Sequence, residues 1–414
     1  MKNVNTTIRS DARYIIDRAI AAVQPDEAVR RALKNRDFPG RVLLVAAGKA
    51  AWQMAWAANQ CMGERIEAGV VVTKYDHVKG PIANYVCFEA GHPVPDENSF
   101  RGTQAALDLV QGLSAEDTVI FLLSGGGSAL FEKPLISGEE LQDITGQLLA
   151  SGADIVEMNT IRKRLSAVKG GRFAQLCAPA HVCSVVLSDI LGDPLDMIAS
   201  GPAWPDDSTC DEALAIAEKY SLRLSDGVMD LLGRETPKTL DNAEALITGS
   251  VRELCTAAAA ACREQGYEPT VLTDRLCCEA REAGAFLASI AVSHAGSGKK
   301  LAFLAGGETV VHLTGKGKGG RNQELALAAA EGIAGLKDVL IFSVGSDGTD
   351  GPTNAAGGMV DGSTRAALME KGLKTHQVLA DNDAYHALQA VDSLIVTGPT
   401  GTNVNDVAVV LIGQ

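Results

Sequence analysis

Aromatic side chains make up only 4% of this 414-residue chain, and basic residues are in deficit, 37 Lys and Arg against 51 Asp and Glu for a net charge of −14. The first scarcity leaves little material for stacking on bases. The second leaves no basic face to supply the electrostatic part of binding to nucleic acid or to an anionic membrane. No run approaches the ~18 apolar residues of a membrane span, and the first 15 residues carry charge without the apolar stretch of a signal peptide. Nine scattered cysteines, an odd number without any CxxC, do not form a disulfide framework, so a reducing cytoplasm is the expected setting. Familiar catalytic signatures are missing too. Gly298 and Lys299 lack the upstream glycine and the following Ser or Thr of a Walker A loop, and no GxSxG, HExxH or protein-kinase motif set occurs.

What remains is apolar and glycine-rich, with 46% hydrophobic residues and 43 glycines. The length predicts two domains, each large enough for its own core. The run at 119–123, five apolar residues without a polar interruption, reads as a strand buried on both faces, and largely apolar segments at 42–47, 69–73, 183–187, 245–248, 301–305, 339–344 and 407–412 read as further strands. Helical segments are predicted between them, at 6–34, 98–112, 138–150, 154–168 and 251–265. The expected fold is α/β, two Rossmann-like domains with mostly parallel sheets and an active-site cleft between them, divided as 1–240 and 241–414.

The chemistry-bearing residues follow the strands. Ser124, Gly125, Gly126, Gly127 and Ser128 close the run at 119–123, where bare glycine N–H groups and two hydroxyls suit an anion, or simply a turn. Lys49 and Arg321 each stand at a helix start, a place where the helix dipole disfavours a cation unless an anion is near. Gly319 and Gly320 leave backbone donors beside Arg321, with Asn322 and Glu324 next. Residues 309–314 read as a strand, and the following Gly315–Gly320 stretch formally matches GxGxxG. The match is weak, because lysines fill it and no ribose-binding acid follows about 20 residues on. Asn159, Arg162, Ser166 and Lys169 share one helical stripe, either a salt-bridged surface face or, through Asn159 and Lys169, part of a pocket. Asp189, Asp193, Asp347 and Asp350 lie in glycine-rich loops after strands, where they suit Mg²⁺ or cap a turn. His92 is expected to anchor a proline-rich turn.

The segments 123–129, 159–171, 188–193, 319–324 and 346–351 together resemble the glycerate 2-kinases, whose C-terminal part is called the MOFRL domain, over nearly the whole chain. The resemblance implies transfer of a phosphoryl group from ATP, with Mg²⁺, to the 2-hydroxyl of D-glycerate. It also implies catalytic roles for Lys49, Arg321 and Asp189, ligand binding by the loops at 124–128 and 319–324 with Asn159 and Lys169, and metal binding by Asp193, Asp347 and Asp350. Expected partners are D-glycerate and ATP, with a second copy of the chain as a homodimer candidate. Two other readings stay open: an NAD(P)H-dependent hydroxypyruvate reductase, which would use 315–320, and a non-catalytic sensor of sugar phosphates.

Overall fold

The computed structural model describes residues 4–414. Its contacts divide the chain into two units, Pro25–Ser188 with Asp193–Thr248, and a second made of the described residues up to Gln24, Asp189–Gly192 and Gly249–Gln414. The expected division at 240 differs in two respects. The strand Ala243–Gly249 closes the first unit's sheet, and the helix Val4–Ala22 packs with C-terminal residues.

In the first unit the apolar runs form β1 (Val42–Ala47), β2 (Ala68–Lys74), β3 (Tyr85–Ala90), β4 (Thr118–Leu123), β5 (His181–Leu187) and β6 (Ala243–Gly249), in the order β3-β2-β1-β4-β5-β6. The pairs β1/β2, β2/β3, β1/β4 and β4/β5 are all parallel. Every residue of β1 and β4 is buried, which is why these stretches carry no polar interruption. This strand order is the dinucleotide-fold order, and it reverses between β1 and β4, where such sheets open a ligand crevice at the strands' carboxyl ends. Lys49 and the glycine loop are the residues that follow those two strands.

The second unit has β7 (Glu268–Leu276), β8 (Leu301–Gly307), β9 (Val339–Gly345), β10 (Gly357–Asp361), β11 (Leu394–Ile395) and β12 (Asp406–Ile412), ordered β11-β10-β9-β12-β8-β7. Here β12 runs antiparallel between β8 and β9, β10 is antiparallel to β9 and β11, and β7 is parallel to β8. The expectation of mostly parallel strands therefore describes the first sheet better than this mixed one. β10 went unread in the sequence because its glycines resemble a turn. They are required by closeness: a Cβ on Gly357 would come within 1.9 Å of Ser343 O, and one on Gly358 within 2.6 Å of Leu388. The predicted strand at 309–314 is absent apart from an isolated bridge at Val310. Ile8, Ile15, Ile16 and Val23 fill one face of this unit's core beside Phe342, Val407 and Val409.

Candidate active site

In the first unit the turn after β1 is locked to the turn after β4. Lys49 N–H donates to Gly125 O at 2.9 Å, and Ala50 N–H donates to Ser124 Oγ at 3.0 Å. Gly48 adopts φ +125°, and a Cβ there would lie 2.3 Å from Ser124 Oγ. Ser124 is thus a buried strut rather than an open hydroxyl. Gly126 sits at φ +84°, and a Cβ on it would meet the His92 ring at 2.9 Å and Lys49 Cγ at 3.3 Å. The loop, Lys49 and His92 accordingly form one cluster. Burial, then the charge of Lys49, holds the His92 imidazole below its ordinary pKa, so it is neutral near pH 7. Among the described residues no carboxylate pairs with Lys49 Nζ. The dipole argument for an outside anion therefore stands at this residue.

The stripe expected on a surface helix is buried. The helix Ile155–Arg164 begins with an Asp154 capping box and stops at Arg164, so Ser166 and Lys169 lie beyond it. Lys169 is fully buried, with Nζ 2.5 Å from Glu132 Oε2 and 3.2 Å from Phe131 O. Expected to bind ligand, Lys169 here has its ammonium engaged inside the protein. Asn159 is also buried and accepts a hydrogen bond from Ser200 Oγ at 3.0 Å, so it reaches the loop only through Ser200. Ser128 is half-buried, 3.1 Å from Ser200 Oγ, and its carbonyl accepts from Arg162 Nη2 at 3.2 Å. Asp193 has φ +54°, with Oδ1 buried and unpartnered.

In the second unit an open groove of about 660 Å³ is lined by Val310, Leu313, Gly319, Arg321, Asp347 and Asp350, among others. Arg321 opens the helix Arg321–Gly332, and its anions are supplied internally. Nε and Nη2 donate to Asp406 at 2.6 and 3.2 Å, and Nη1 donates to Glu308 at 2.6 Å. Of the guanidinium's five N–H groups, three are so used and two remain. Burial raises the Asp406 carboxyl to about 6 against the pull of Arg321.

Asp350 accepts from the N–H groups of Asn322 and Gln323 and from the Gln323 side chain at 2.9–3.1 Å. It caps that helix with both oxygens, where a metal-binding role was expected, and it also lines the groove. Asn322 and Glu324 are likewise buried, bonded to Ser343 and to Arg281 with Asn382. Both were expected among the ligand-binding groups, and of the two Glu324 lines the groove. Asp347 is half-exposed in the groove and accepts from Thr349 N–H. Asp189 lies at the end of the segment after β5, and its carbonyl accepts from Asn405 Nδ2 at 3.2 Å. Among the described residues no cluster of three or more His, Cys, Asp or Glu is placed to hold a metal. Mg²⁺ needs only one or two carboxylates with water and phosphate oxygens; Asp347, in the second unit's groove, and Asp193, whose Oδ1 is unpartnered in the first unit, are each by themselves of that donor type.

The GxGxxG-like loop is closed to a pyrophosphate. The N–H groups of Gly315, Gly317, Lys316 and Lys318 already donate to Asn382, Asp381 and Asp383. Four participants were not among the expected site residues: His92, read as a turn anchor, Ser200, and the acids Glu308 and Asp406 that hold Arg321. Only the distance from His92 to the glycine loop, which is not in the sequence, separates it from an ordinary turn histidine.

Family models described as "Domain of unknown function (DUF4147)" and "MOFRL family" match residues 11–233 and 301–406. The chain is 52% identical to the D-glycerate 2-kinase of Thermotoga maritima, over 98% of this chain and 99% of that one. The chain belongs to the MOFRL glycerate kinase family. Within the family it is 39% identical to the glycerate 2-kinase of Pyrococcus horikoshii, covering 98% and 97% of the two chains. A crystal structure of the Thermotoga maritima glycerate kinase superposes with a TM-score of 0.95 at 51% identity, covering 99% of this chain and all of that one. Some family members, such as an Agrobacterium vitis protein 38% identical over 99% of this chain, carry a hydroxypyruvate reductase name. The engaged N–H groups of the 315–318 loop do not favour that activity here.

Proposed function

We propose that this chain is a glycerate 2-kinase that transfers the γ-phosphoryl group of ATP to the 2-hydroxyl of D-glycerate. The observation that carries the reading is the near-identical fold and full-length similarity to the Thermotoga maritima enzyme. Phosphoryl transfer asks for alignment and charge neutralisation more than for a strong base. What supports Lys49 as the phosphoryl-stabilising cation is its lack of an internal carboxylate at the point where the first sheet's strand order reverses. Arg321 takes the substrate carboxylate with its two remaining N–H groups, Glu308 and Asp406 fixing the guanidinium plane. Asp189 serves as an orienting group for the reacting hydroxyl.

Asp193 or Asp347 would hold Mg²⁺, which would supply neutralisation of phosphate charge. A cytoplasmic site of action and a homodimeric state complete the reading. Among the described residues no helix is long and apolar enough to cross a membrane.

The test is ADP release on D-glycerate with the product fed to enolase, which consumes the 2-phosphate but not the 3-phosphate. Activity that disappears on chelation and returns with Mg²⁺ supports the metal. NADH depletion on hydroxypyruvate without ATP would establish the reductase instead.

A further inference from the structure

Asn159 and Ser200 are buried, yet together they govern a side chain that is not. Ser200 Oγ donates to Asn159 Oδ1 at 3.0 Å and lies 3.1 Å from Ser128 Oγ, while the Asn159 amide nitrogen faces Met197 Sδ at 3.8 Å. A hydroxyl has one proton to give. Ser200 gives its proton to Asn159, so between the two serines the donor is Ser128. Its O–H is committed to Ser200, which leaves the half-buried Ser128 hydroxyl with lone pairs only to offer.

The backbone enforces this arrangement. Ala199, Ser200 and Gly201 stand at φ +52°, +62° and +63°, a left-handed conformation that L-residues adopt at a cost and only where surroundings impose it. Ser200 O accepts from Gly170 N–H at 3.0 Å and Gly201 O from Gly171 N–H at 2.7 Å. Ala199 Cβ lies 2.7 Å from where a Cβ on Gly127 would stand, so the turn packs directly beneath the loop.

A hydroxyl whose proton is committed inward suits a donor and repels a phosphate oxygen. The chain of bonds ends on an amide oxygen, which takes up no proton near neutral pH, so it orients Ser128 without relaying charge. The reacting 2-hydroxyl must give up its proton, whereas the 3-hydroxyl of glycerate keeps its own and matches a fixed neutral acceptor. We propose that Ser128 is a specificity-determining residue that accepts a hydrogen bond from the 3-hydroxyl, with Ser200 and Asn159 as positioning residues holding it in the acceptor state. The inference rests on the kinase reading above.

The experiment is steady-state kinetics of the full chain as wild type, Ser128→Ala and Ser200→Ala, varying D-glycerate and ATP in turn. D-lactate, which lacks the 3-hydroxyl, is the competitor against D-glycerate. Ser128→Ala is expected to raise KM for D-glycerate about fivefold to tenfold, the worth of one neutral hydrogen bond, with KM for ATP and Ki for D-lactate unchanged. Ser200→Ala shifts the same parameter in the same direction by less. Ser200→Gly, which suits the positive φ and removes the same hydroxyl, replaces it where folding suffers. A raised KM for ATP with that for D-glycerate unaltered, a parallel weakening of D-lactate, or no change at all would overturn the proposal. Absence of ADP formation by the wild type on D-glycerate overturns the kinase reading itself, and this proposal with it.

Discussion

Replacing Glu132 by Gln tests the buried frame beneath the glycine loop. Glu132 follows that loop by a few residues, and Lys169 immediately precedes Gly170 and Gly171, whose N–H groups hold the turn at Ser200 and Gly201. The two side chains are 1% and 0% exposed and 2.5 Å apart, so the substitution leaves an ammonium without its counter-charge inside the first unit. Breaking a buried pair from one side costs about 3–5 kcal/mol, which for a unit of about 200 residues lowers Tm by roughly 6–20 °C. Burial brings Lys169 down to about 8, with Glu132 pulling the other way. The folded lysine therefore binds fewer protons than the unfolded one between about 8 and its ordinary value of about 10.4, and wild-type stability rises with pH across that window. Without the carboxylate the folded value falls further, so the variant begins to gain stability at lower pH and its deficit narrows as pH approaches 8. Differential scanning fluorimetry across pH reads both effects, and adding Lys169→Met to the variant should recover most of the loss. An unchanged Tm, or a deficit that does not vary with pH, refutes the reasoning.

Lys49→Ala should lower kcat by about two to four orders of magnitude while leaving Tm unchanged, since it breaks no internal ion pair; turnover near wild type would remove it from the mechanism. Arg321→Ala should lose activity and also about 1–3 kcal/mol of stability, because Asp406 and Glu308 are left as neighbouring unpaired acids, though part of the pair is solvent-screened; a denaturation midpoint equal to wild type would contradict the pairing. The folded Asp406 carboxyl titrates near 6, above its unfolded value, so its contribution is full at low pH and is lost as pH rises through about 6. Asp406→Asn should flatten that part of the Tm–pH curve, and an identical curve in both proteins would dismiss the shift. Ile15→Ala, at a fully buried position, should cost about 2–5 kcal/mol, and the destabilised amides in hydrogen exchange should lie in β9 and β12 of the C-terminal unit rather than in β1 and β4.

Much of the first sheet was legible because a strand covered on both faces leaves little room for polar side chains, so β1 and β4 announce themselves as almost wholly apolar runs, and β5 does so with one buried serine, Ser184. The same property hid the second sheet's topology. An apolar run records burial and says nothing of direction, so β12, filed antiparallel between β8 and β9, reads no differently from a parallel neighbour. Polarity along a helix misled in the opposite way. Lys169, read with Asn159, Arg162 and Ser166 as either a salt-bridged surface face or part of a pocket, is buried against Glu132, and the neighbouring Lys163 and Arg164 are likewise held inside by Asp206 and Ser208, distant in sequence.

The two cations at helix starts show how far a local electrostatic argument carries. Both Lys49 and Arg321 oppose the helix dipole, and in both the sequence demands an anion without saying whose. For Arg321 the answer is internal: Asp406 lies 85 positions away in sequence and Glu308 lies 13 away. The misplaced charge thus proves the presence of a clamp before it proves anything about a ligand. For Lys49, which is half-buried, the described residues provide no such acid, while the glycine loop and the neutral His92 beside it add no negative charge, so solvent or an outside anion is left to balance it. A cation without an internal acid, at the reversal of a parallel sheet's strand order, is therefore the stronger candidate of the two, and its sign suits an anionic guest, as the proposed function requires.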